Sequence, residues 1–92
     1  MLLAVKVTNH FKKDHKRLEK RSKDLKKLIE VINLLAEKKK LPKKYNDHLL
    51  KGSFIDRREC HIEPDWLLIY RIEHNQKLLT LERTGSHSDL FK

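Results

Sequence analysis

The stretch RRECHIEPDWLLIYRIEHNQKLLTLER, residues 57–83, decides the fold class of this 92-residue chain. It contains three short strand-like segments, 57–63, 66–72 and 78–83, which are separated by polar breaks. Pro64-Asp65 forms the first break, and the polar loop His74-Asn75-Gln76 forms the second. Because strands joined by short connections usually pair side by side, this stretch predicts a small, mainly antiparallel sheet.

A first strand and a first helix are predicted upstream of this stretch. Apolar residues at positions 3, 5 and 7 alternate with their neighbours, as in a strand. Thr8 or Asn9 then begins a helix, because either side chain can accept hydrogen bonds from free backbone N–H groups. One face of that helix carries Phe11, His15 and Leu18.

The second helix has the clearest pattern in the chain. Ser22 is its expected N-cap, and Pro42 marks its end, since the residue before a proline avoids helical angles. Its apolar face carries Leu25, Leu28, Ile29, Ile32, Leu35 and Ala36. A loop is predicted over 41–54, ending near Gly52, and a turn with one helical turn over 85–91. The order β-α-α-β-β-β predicts a single α+β domain, residues 1–92, with two helices packed on the sheet.

Charge is distributed unevenly along the chain. Residues 6–44 carry a net charge of +10, whereas residues 45–92 carry −1. A basic surface attracts polyanions, so nucleic acid or a ribosome is the leading partner, and Lys38, Lys39 and Lys40 are expected to bind it. The apolar run at residues 66–70 is too short to span a membrane, and no run in the sequence is longer. The N-terminal residues lack the pattern of a signal peptide, and the single Cys60 fits a reducing cytoplasm.

Side chains suited to RNA cleavage are concentrated in the second half. The candidate catalytic residues are His48, His61, Asp65, Arg83 and His87. Gly85 permits a sharp turn, so that Arg83 and His87 are expected to face one site. In the strand that begins at residue 57, odd-numbered residues share one face, which places Glu59 and Glu63 beside His61.

These residue types match cleavage without a metal ion. A base removes the 2′-hydroxyl proton, the oxygen attacks phosphorus, an acid protonates the departing 5′-oxygen, and a cation stabilises the developing negative charge. Histidine titrates near neutral pH, and arginine donates a fork of hydrogen bonds to phosphate. Trp66 or Phe91 is a candidate to stack on a base.

Structural and non-catalytic alternatives exist for these residues. Trp66 fits a core position, and Arg83 is able to pair with Glu82, Glu63 or Glu73. A zinc site is disfavoured because Cys60 and His61 point to opposite faces of a strand. The chain has no Gly-rich phosphate loop and no Gly-x-Ser-x-Gly elbow. Two non-catalytic functions remain open: a basic RNA- or ribosome-binding module, and a protein that binds an acidic partner.

Three motifs resemble one known family. YNDHLLKGS at 45–53 resembles its loop motif, RRECHIEPDWLLIY at 57–70 its central hairpin, and ERTGSHSDLF at 82–91 its C-terminal signature. The chain is thus similar to the YafQ group of the RelE superfamily, toxins of bacterial type II toxin–antitoxin pairs. The resemblance is specific in the second half and looser across the helices. Leu49 stands where a proline is common in the family.

The resemblance implies a microbial-ribonuclease-like fold and cleavage of mRNA in the ribosomal A site, without metal or organic cofactor. It implies a cognate antitoxin that silences the toxin in the bacterial cytoplasm, and operator DNA binding only through the toxin–antitoxin complex. The family positions correspond to His48, His61, Asp65, Arg83, His87 and Phe91, with Trp66 as the aromatic residue after the aspartate. His87 is the favoured general acid, while His48, His61 and Asp65 are all candidates for the base.

Overall fold

The described part of the chain contains five strands and three α-helices. The computed structural model describes residues 2–50 and 56–91. The elements are β1 (Ala4–Val7), α1 (Asn9–Lys20), α2 (Leu25–Ala36), β2 (His48–Leu49), β3 (Arg58–Glu63), β4 (Trp66–Glu73), β5 (Leu78–Gly85) and α3 (His87–Leu90), with 3₁₀ turns at Lys43–Tyr45 and His74–Gln76.

The strands form one sheet in the order β1-β5-β4-β3-β2. Among the described strands, β1 and β5 pair in parallel, which a long connection of two helices and three strands permits, and the other pairs are antiparallel. The predicted α+β class and the mainly antiparallel sheet are confirmed.

Side-chain caps define where the two long helices begin. The Thr8 hydroxyl accepts a hydrogen bond of 3.0 Å from the backbone N–H of Phe11, as predicted for α1. At α2 the prediction of Ser22 was wrong. Ser22 has a positive φ of 58°, and Asp24 caps the helix by accepting from the N–H of Lys26. The helix also ends at Ala36, well before Pro42.

Strand β4 is buried on both of its faces, because helices cover both faces of the sheet there. Trp66, Leu68 and Tyr70 point towards the core shared with α1 and α2. Leu67 and Ile69 point the other way and pack against Leu90 of α3. Burying a leucine or phenylalanine side chain stabilises a fold by about 1.5–3 kcal/mol. The apolar run 66–70 is therefore a doubly covered central strand, and Leu90 anchors α3 to it.

Two local features differ from the sequence prediction. His48 and Leu49 form the short strand β2, which pairs with β3, inside the segment predicted to be a loop. The predicted end of that loop near Gly52 lies outside the described residues. A register shift between His61 and Glu63 breaks the alternation of β3, and Glu63 binds Lys23 and Lys27 instead of facing the same side as His61.

In the described ranges, 2–50 and 56–91, we find no helix that is both long enough and apolar enough to cross a membrane.

Candidate active site

Three imidazoles stand in a row across the surface formed by β2, β3 and α3. The ring centroids of His48 and His61 are 6.2 Å apart, and those of His61 and His87 are 6.0 Å apart. The ring of Phe91 follows at 6.3 Å from that of His87. We call His48, His61 and His87 the histidine row. Three of the residues predicted from sequence are therefore neighbours, although they are far apart in the chain.

Glu59 joins two members of the histidine row. Its Oε1 lies 3.1 Å from Nε2 of His61 and 3.5 Å from Nε2 of His48, and the side chain is only 7% exposed. The pairing of His48 with Glu59 across β2 and β3 creates this arrangement. Because an ionised carboxylate only accepts hydrogen bonds, Nε2 of His61 is the donor and its Nδ1 keeps a lone pair when the ring is neutral.

His48 is held from its other side. Its Nδ1 lies 2.8 Å from the backbone carbonyl of Asn46, which can only accept, so Nδ1 is the donor. The preceding residue, Asp47, is bound by the guanidinium of Arg58 and by the hydroxyl of Tyr70. Burial, together with the bond to Asp47, raises the pKa of Tyr70, so this hydroxyl stays a donor. The segment that carries His48 is thus tied to β3 and β4.

Asp65 fixes the orientation of the His87 ring. Its Oδ1 accepts from both the backbone N–H of His87, at 2.9 Å, and the ring Nδ1, at 2.7 Å. These two bonds from His87 lower the pKa of Asp65. Since Nδ1 donates to Asp65, Nε2 of His87 is the nitrogen that remains for another partner.

The orientation of His87 depends on the turn before α3. Gly85 has a φ of +153°, which L side chains rarely adopt, and a Cβ there would lie 2.9 Å from Oδ2 of Asp89. Ser86 and Asp89 form a reciprocal capping box at the start of α3. Arg21 donates to both carboxylate oxygens of Asp89, at 2.8 and 3.1 Å, and lowers the pKa of Asp89 well below its usual range. The end of α1 therefore fixes the short helix that carries His87.

Arg83 is held by a buried carboxylate. Its Nε and Nη2 donate to the two oxygens of Asp14, at 2.7 and 3.1 Å, and this bond raises the pKa of Arg83. Asp14 is 2% exposed and also accepts from the backbone N–H of Thr84. The partner is thus Asp14, not one of the glutamates considered from sequence: Arg57 pairs with Glu82, Lys23 and Lys27 with Glu63, and Arg71 with Glu73. Among the described residues, Arg83 makes no hydrogen bond or ion pair with the histidine row.

The remaining predicted site residues differ in their surroundings. Trp66 is fully buried, and its indole N–H donates to Thr84, so the structure places it in the core and not where a base can stack. Phe91 is 41% exposed beside His87. Lys38, Lys39 and Lys40 are exposed in the connection after α2 and not on a helix.

Sequence reasoning placed Glu59 beside His61 but gave it no role, and it missed two further residues that organise the site, Asp14 and Asp89. Glu59 had a usable signal, because it lies two residues before His61 on the same strand face. Asp14 had none, since its partner Arg83 is 69 residues away in the chain. Asp89 stands three residues after Ser86, the spacing of a capping box, but this spacing does not indicate its bond to Arg21, 68 residues away. Cys60 lies opposite this surface, and burial raises its pKa to about 12, which removes it as a nucleophile.

Comparison with known proteins decides the family. The family model described as "Bacterial toxin of type II toxin-antitoxin system, YafQ" matches residues 3–92. The chain belongs to the YafQ toxin family. The "mRNA interferase toxin YafQ" of Escherichia coli K12 is 43% identical over 88 residues, which cover 95% of this chain and 94% of the relative. The resemblance seen in the three motifs is confirmed.

Solved structures of YafQ relatives have the same fold. A metal-bound toxin from Helicobacter pylori is 47% identical with a TM-score of 0.92, covering 98% of this chain and 100% of that one. The E. coli DinJ–YafQ toxin–antitoxin complex contains a chain 41% identical with a TM-score of 0.89, covering 100% of both. Across residues 2–50 and 56–91 of this YafQ-family chain, no group of three or more histidine, cysteine or carboxylate side chains is arranged to hold a metal ion.

Proposed function

We propose that this protein is an mRNA interferase, an endoribonuclease that cuts mRNA in the ribosomal A site by general acid–base catalysis. The observation that supports this most strongly is a pair of carboxylate–histidine dyads, Glu59–His61 and Asp65–His87, whose imidazole centroids are 6.0 Å apart. Cleavage through the 2′-hydroxyl requires a base and an acid on opposite sides of one phosphorus atom. Two adjacent dyads supply those two groups.

His61 is the general base in this proposal. Glu59 accepts a hydrogen bond from the Nε2–H group of His61, so the neutral ring presents the lone pair of Nδ1. That nitrogen takes the proton from the 2′-hydroxyl as the oxygen attacks phosphorus. His48 donates from Nδ1 to the carbonyl of Asn46, and its Nε2, 3.5 Å from the same carboxylate, holds Glu59 from the other side when that nitrogen also carries a proton. Glu59 and His48 are therefore positioning residues.

His87 is the general acid. Its Nδ1 is engaged with Asp65, so Nε2 of the protonated ring delivers the proton to the departing 5′-oxygen. Asp65 holds the ring and compensates its charge; two bonds from His87 already occupy one of its oxygens, which disfavours Asp65 as the base. The products are a 2′,3′-cyclic phosphate and a free 5′-hydroxyl.

Binding groups complete the site. Arg83 uses Nε and Nη2 towards Asp14, and the remaining N–H groups of its guanidinium are assigned to the phosphate in the transition state. The half-exposed ring of Phe91 stacks on the nucleotide that leaves with the 5′-oxygen. Lys38, Lys39 and Lys40 contribute to ribosome affinity through their positive charge.

The proposal extends to partners and regulation. A relative, the E. coli YafQ protein, forms a complex with DinJ, and we propose that a cognate antitoxin likewise silences this chain. Operator DNA would be bound only through that complex, and the site of action is the bacterial cytoplasm, where mRNA is translated. Residues 1–92 are proposed to act as one toxin domain.

Programmed ribosomes test the proposal. Purified wild-type protein, treated with EDTA and then returned to magnesium-containing ribosome buffer, should cut the A-site codon and leave a 2′,3′-cyclic phosphate. His61→Ala should reduce the single-turnover rate by about 10²–10⁴-fold, as expected for an acid–base group. His74→Ala is the matched control, since His74 lies in a distant 3₁₀ turn and outside the histidine row. Ribosome binding without any cut would favour a non-catalytic binding module, and a requirement for added zinc or manganese would contradict metal independence.

A further inference from the structure

A cleft opens beside the histidine row that the proposed chemistry does not use. It has a volume of about 500 Å³ and lies between α2, the 3₁₀ turn Lys43–Tyr45 and the end of β3. This volume lies in the range of about 300–1,000 Å³ in which proteins hold small ligands. His61 lines the cleft as well as belonging to the histidine row. Whatever occupies the cleft therefore lies next to the proposed general base.

The walls of the cleft combine apolar surface with a separate acceptor and donor. Buried Ile62 and Tyr45 supply apolar surface, and the ammonium of Lys44 lies 5.0 Å from the centroid of the Tyr45 ring. Glu30, exposed on α2, supplies a carboxylate on the wall. In the described part of the chain, neither Glu30 nor Lys44 takes part in an ion pair within 4.0 Å.

The other charges of the cleft neutralise one another. Glu63 accepts from Lys27 at 2.8 Å and from Lys23 at 3.1 Å. Lys23 does not line the cleft, and the charged side chains that do, two lysines and two glutamates, sum to zero among the described residues, which leaves little attraction for a phosphate group. A carboxylate at the wall would also repel a phosphate. A flat, uncharged ring with hydrogen-bond donors and acceptors on its edge fits these walls better, and a nucleobase has that chemistry.

The side of the cleavage site follows from the proposed roles. The base takes its proton from the 2′-hydroxyl, which belongs to the nucleotide 5′ of the cut, whereas the acid serves the nucleotide 3′ of it. The cleft lies against His61, the proposed base, and Phe91 lies against His87, the proposed acid. Resting on the proposed function, we infer that the cleft binds the nucleobase immediately 5′ of the cut, and that Glu30 and Lys44 determine which base is accepted.

The test varies the RNA base and the cleft together. Single-turnover rates are measured on programmed ribosomes whose mRNAs differ only in the base 5′ of the mapped cut, with all four bases compared. Wild type should discriminate among them. Glu30→Gln and Lys44→Gln should lower the rate on the preferred base by roughly tenfold, the scale of one good side-chain–base contact, and change the order of preference. Changing the base 3′ of the cut should alter the single-turnover rate of each variant as much as it alters that of wild type.

Matched control variants distinguish a general effect of lost charge from recognition of the base in the cleft. Glu37→Gln and Lys43→Gln change the same charges on exposed neighbours that do not line the cleft, and both should keep the wild-type preference. Thermal unfolding of each variant should match wild type, because all four side chains are exposed. If Glu30→Gln and Lys44→Gln lowered the rate equally on all four bases, the inference would be overturned, and the two charges would act on the RNA backbone. An unchanged base preference would also overturn the inference but would leave the proposed function standing. If wild type cut no mRNA at all, the proposed function would fail first.

Discussion

The ion pair between Asp14 and Arg83 gives a quantitative prediction about stability. Asp14 is 2% exposed and accepts three hydrogen bonds from Arg83 and the backbone N–H of Thr84, at 2.7, 3.1 and 3.2 Å. Asp14→Asn keeps the shape of the side chain but removes its charge and one acceptor. Arg83 then lies against a neutral amide, whose N–H₂ group faces the donors of the guanidinium.

The expected loss follows from burial. Removing one partner of a fully buried pair costs about 3–5 kcal/mol. The Arg83 side chain is 23% exposed, so water compensates part of the lost interaction. We therefore expect the free energy of unfolding to fall by about 2–3 kcal/mol, which corresponds to a decrease in Tm of roughly 10–20 °C for a domain of this size.

Urea unfolding, followed by tryptophan fluorescence, measures this change. Arg17→Gln is the matched control, because Arg17 lies 3.5 Å from the same carboxylate but is 42% exposed, and its loss should cost under about 1 kcal/mol. A double-mutant cycle of Asp14→Asn with Arg83→Gln should give a coupling energy of about 1–3 kcal/mol. An Asp14→Asn variant as stable as Arg17→Gln would refute the reasoning.

Three further predictions concern the turn before α3, the stability of the fold in acid, and the three lysines that follow α2. Gly85→Ala should destabilise the fold by about 1–3 kcal/mol, since the residue has a φ of +153° and its Cβ meets Asp89; urea unfolding measures it, and a neutral effect would contradict the strain. Because folding lowers the pKa of Asp89, this residue stabilises the fold fully above its ordinary pKa of 3.8, and the stabilisation is lost as pH falls below that value. Asp89→Asn should therefore flatten the decline in the free energy of unfolding between pH 5 and 2, and an unchanged slope would contradict this. Replacing Lys38, Lys39 and Lys40 with Gln should weaken ribosome binding and its salt dependence while the saturating single-turnover rate holds, whereas a lower rate with unchanged binding would overturn that assignment.

Much of the fold was predictable because local patterns determine it. The alternation of β3 and the turn at Pro64 and Asp65 place the central hairpin correctly. The helical period places α2 in the right segment, but its cap was assigned two residues early. Both Ser22 and Asp24 are cap-forming residues, and only the backbone shows that Ser22 occupies a left-handed turn.

The sequence predicted which histidines are candidate site residues better than it predicted their partners, and the catalytic roles of these histidines stay predictions. His48, His61 and His87 come together as expected, because β2, β3 and α3 meet at one surface. Arg83 was expected to face one site with His87, but two of its N–H groups bind Asp14, since β1 ends opposite Leu81 and leaves the last part of β5 next to α1. Pairing between such distant residues depends on how the elements pack, which spacing along the chain does not specify.

The apolar residues illustrate the same limit. Trp66 is an aromatic residue of the kind that stacks on bases, and it follows an exposed aspartate. Its position in β4 nevertheless points the side chain into the core beneath α1 and α2. Ile29 fits the apolar face of α2 by spacing but is 55% exposed. Whether an apolar side chain is covered depends on the width of the neighbouring surface, and the helix period alone does not give that width.

The proposed role of His87 as the general acid of an RNA-cleaving site is tested most directly by a substitution of the leaving group. An mRNA with sulfur in place of the bridging 5′-oxygen at the cut needs no acid, because a thiolate departs without a proton. On programmed ribosomes, His87→Ala should be about 10²–10⁴-fold slower than wild type on normal mRNA and should recover most of that loss on the sulfur substrate. His61→Ala should stay slow on both. Equal impairment of His87→Ala on the two substrates would contradict the account and leave His87 with a binding or structural role.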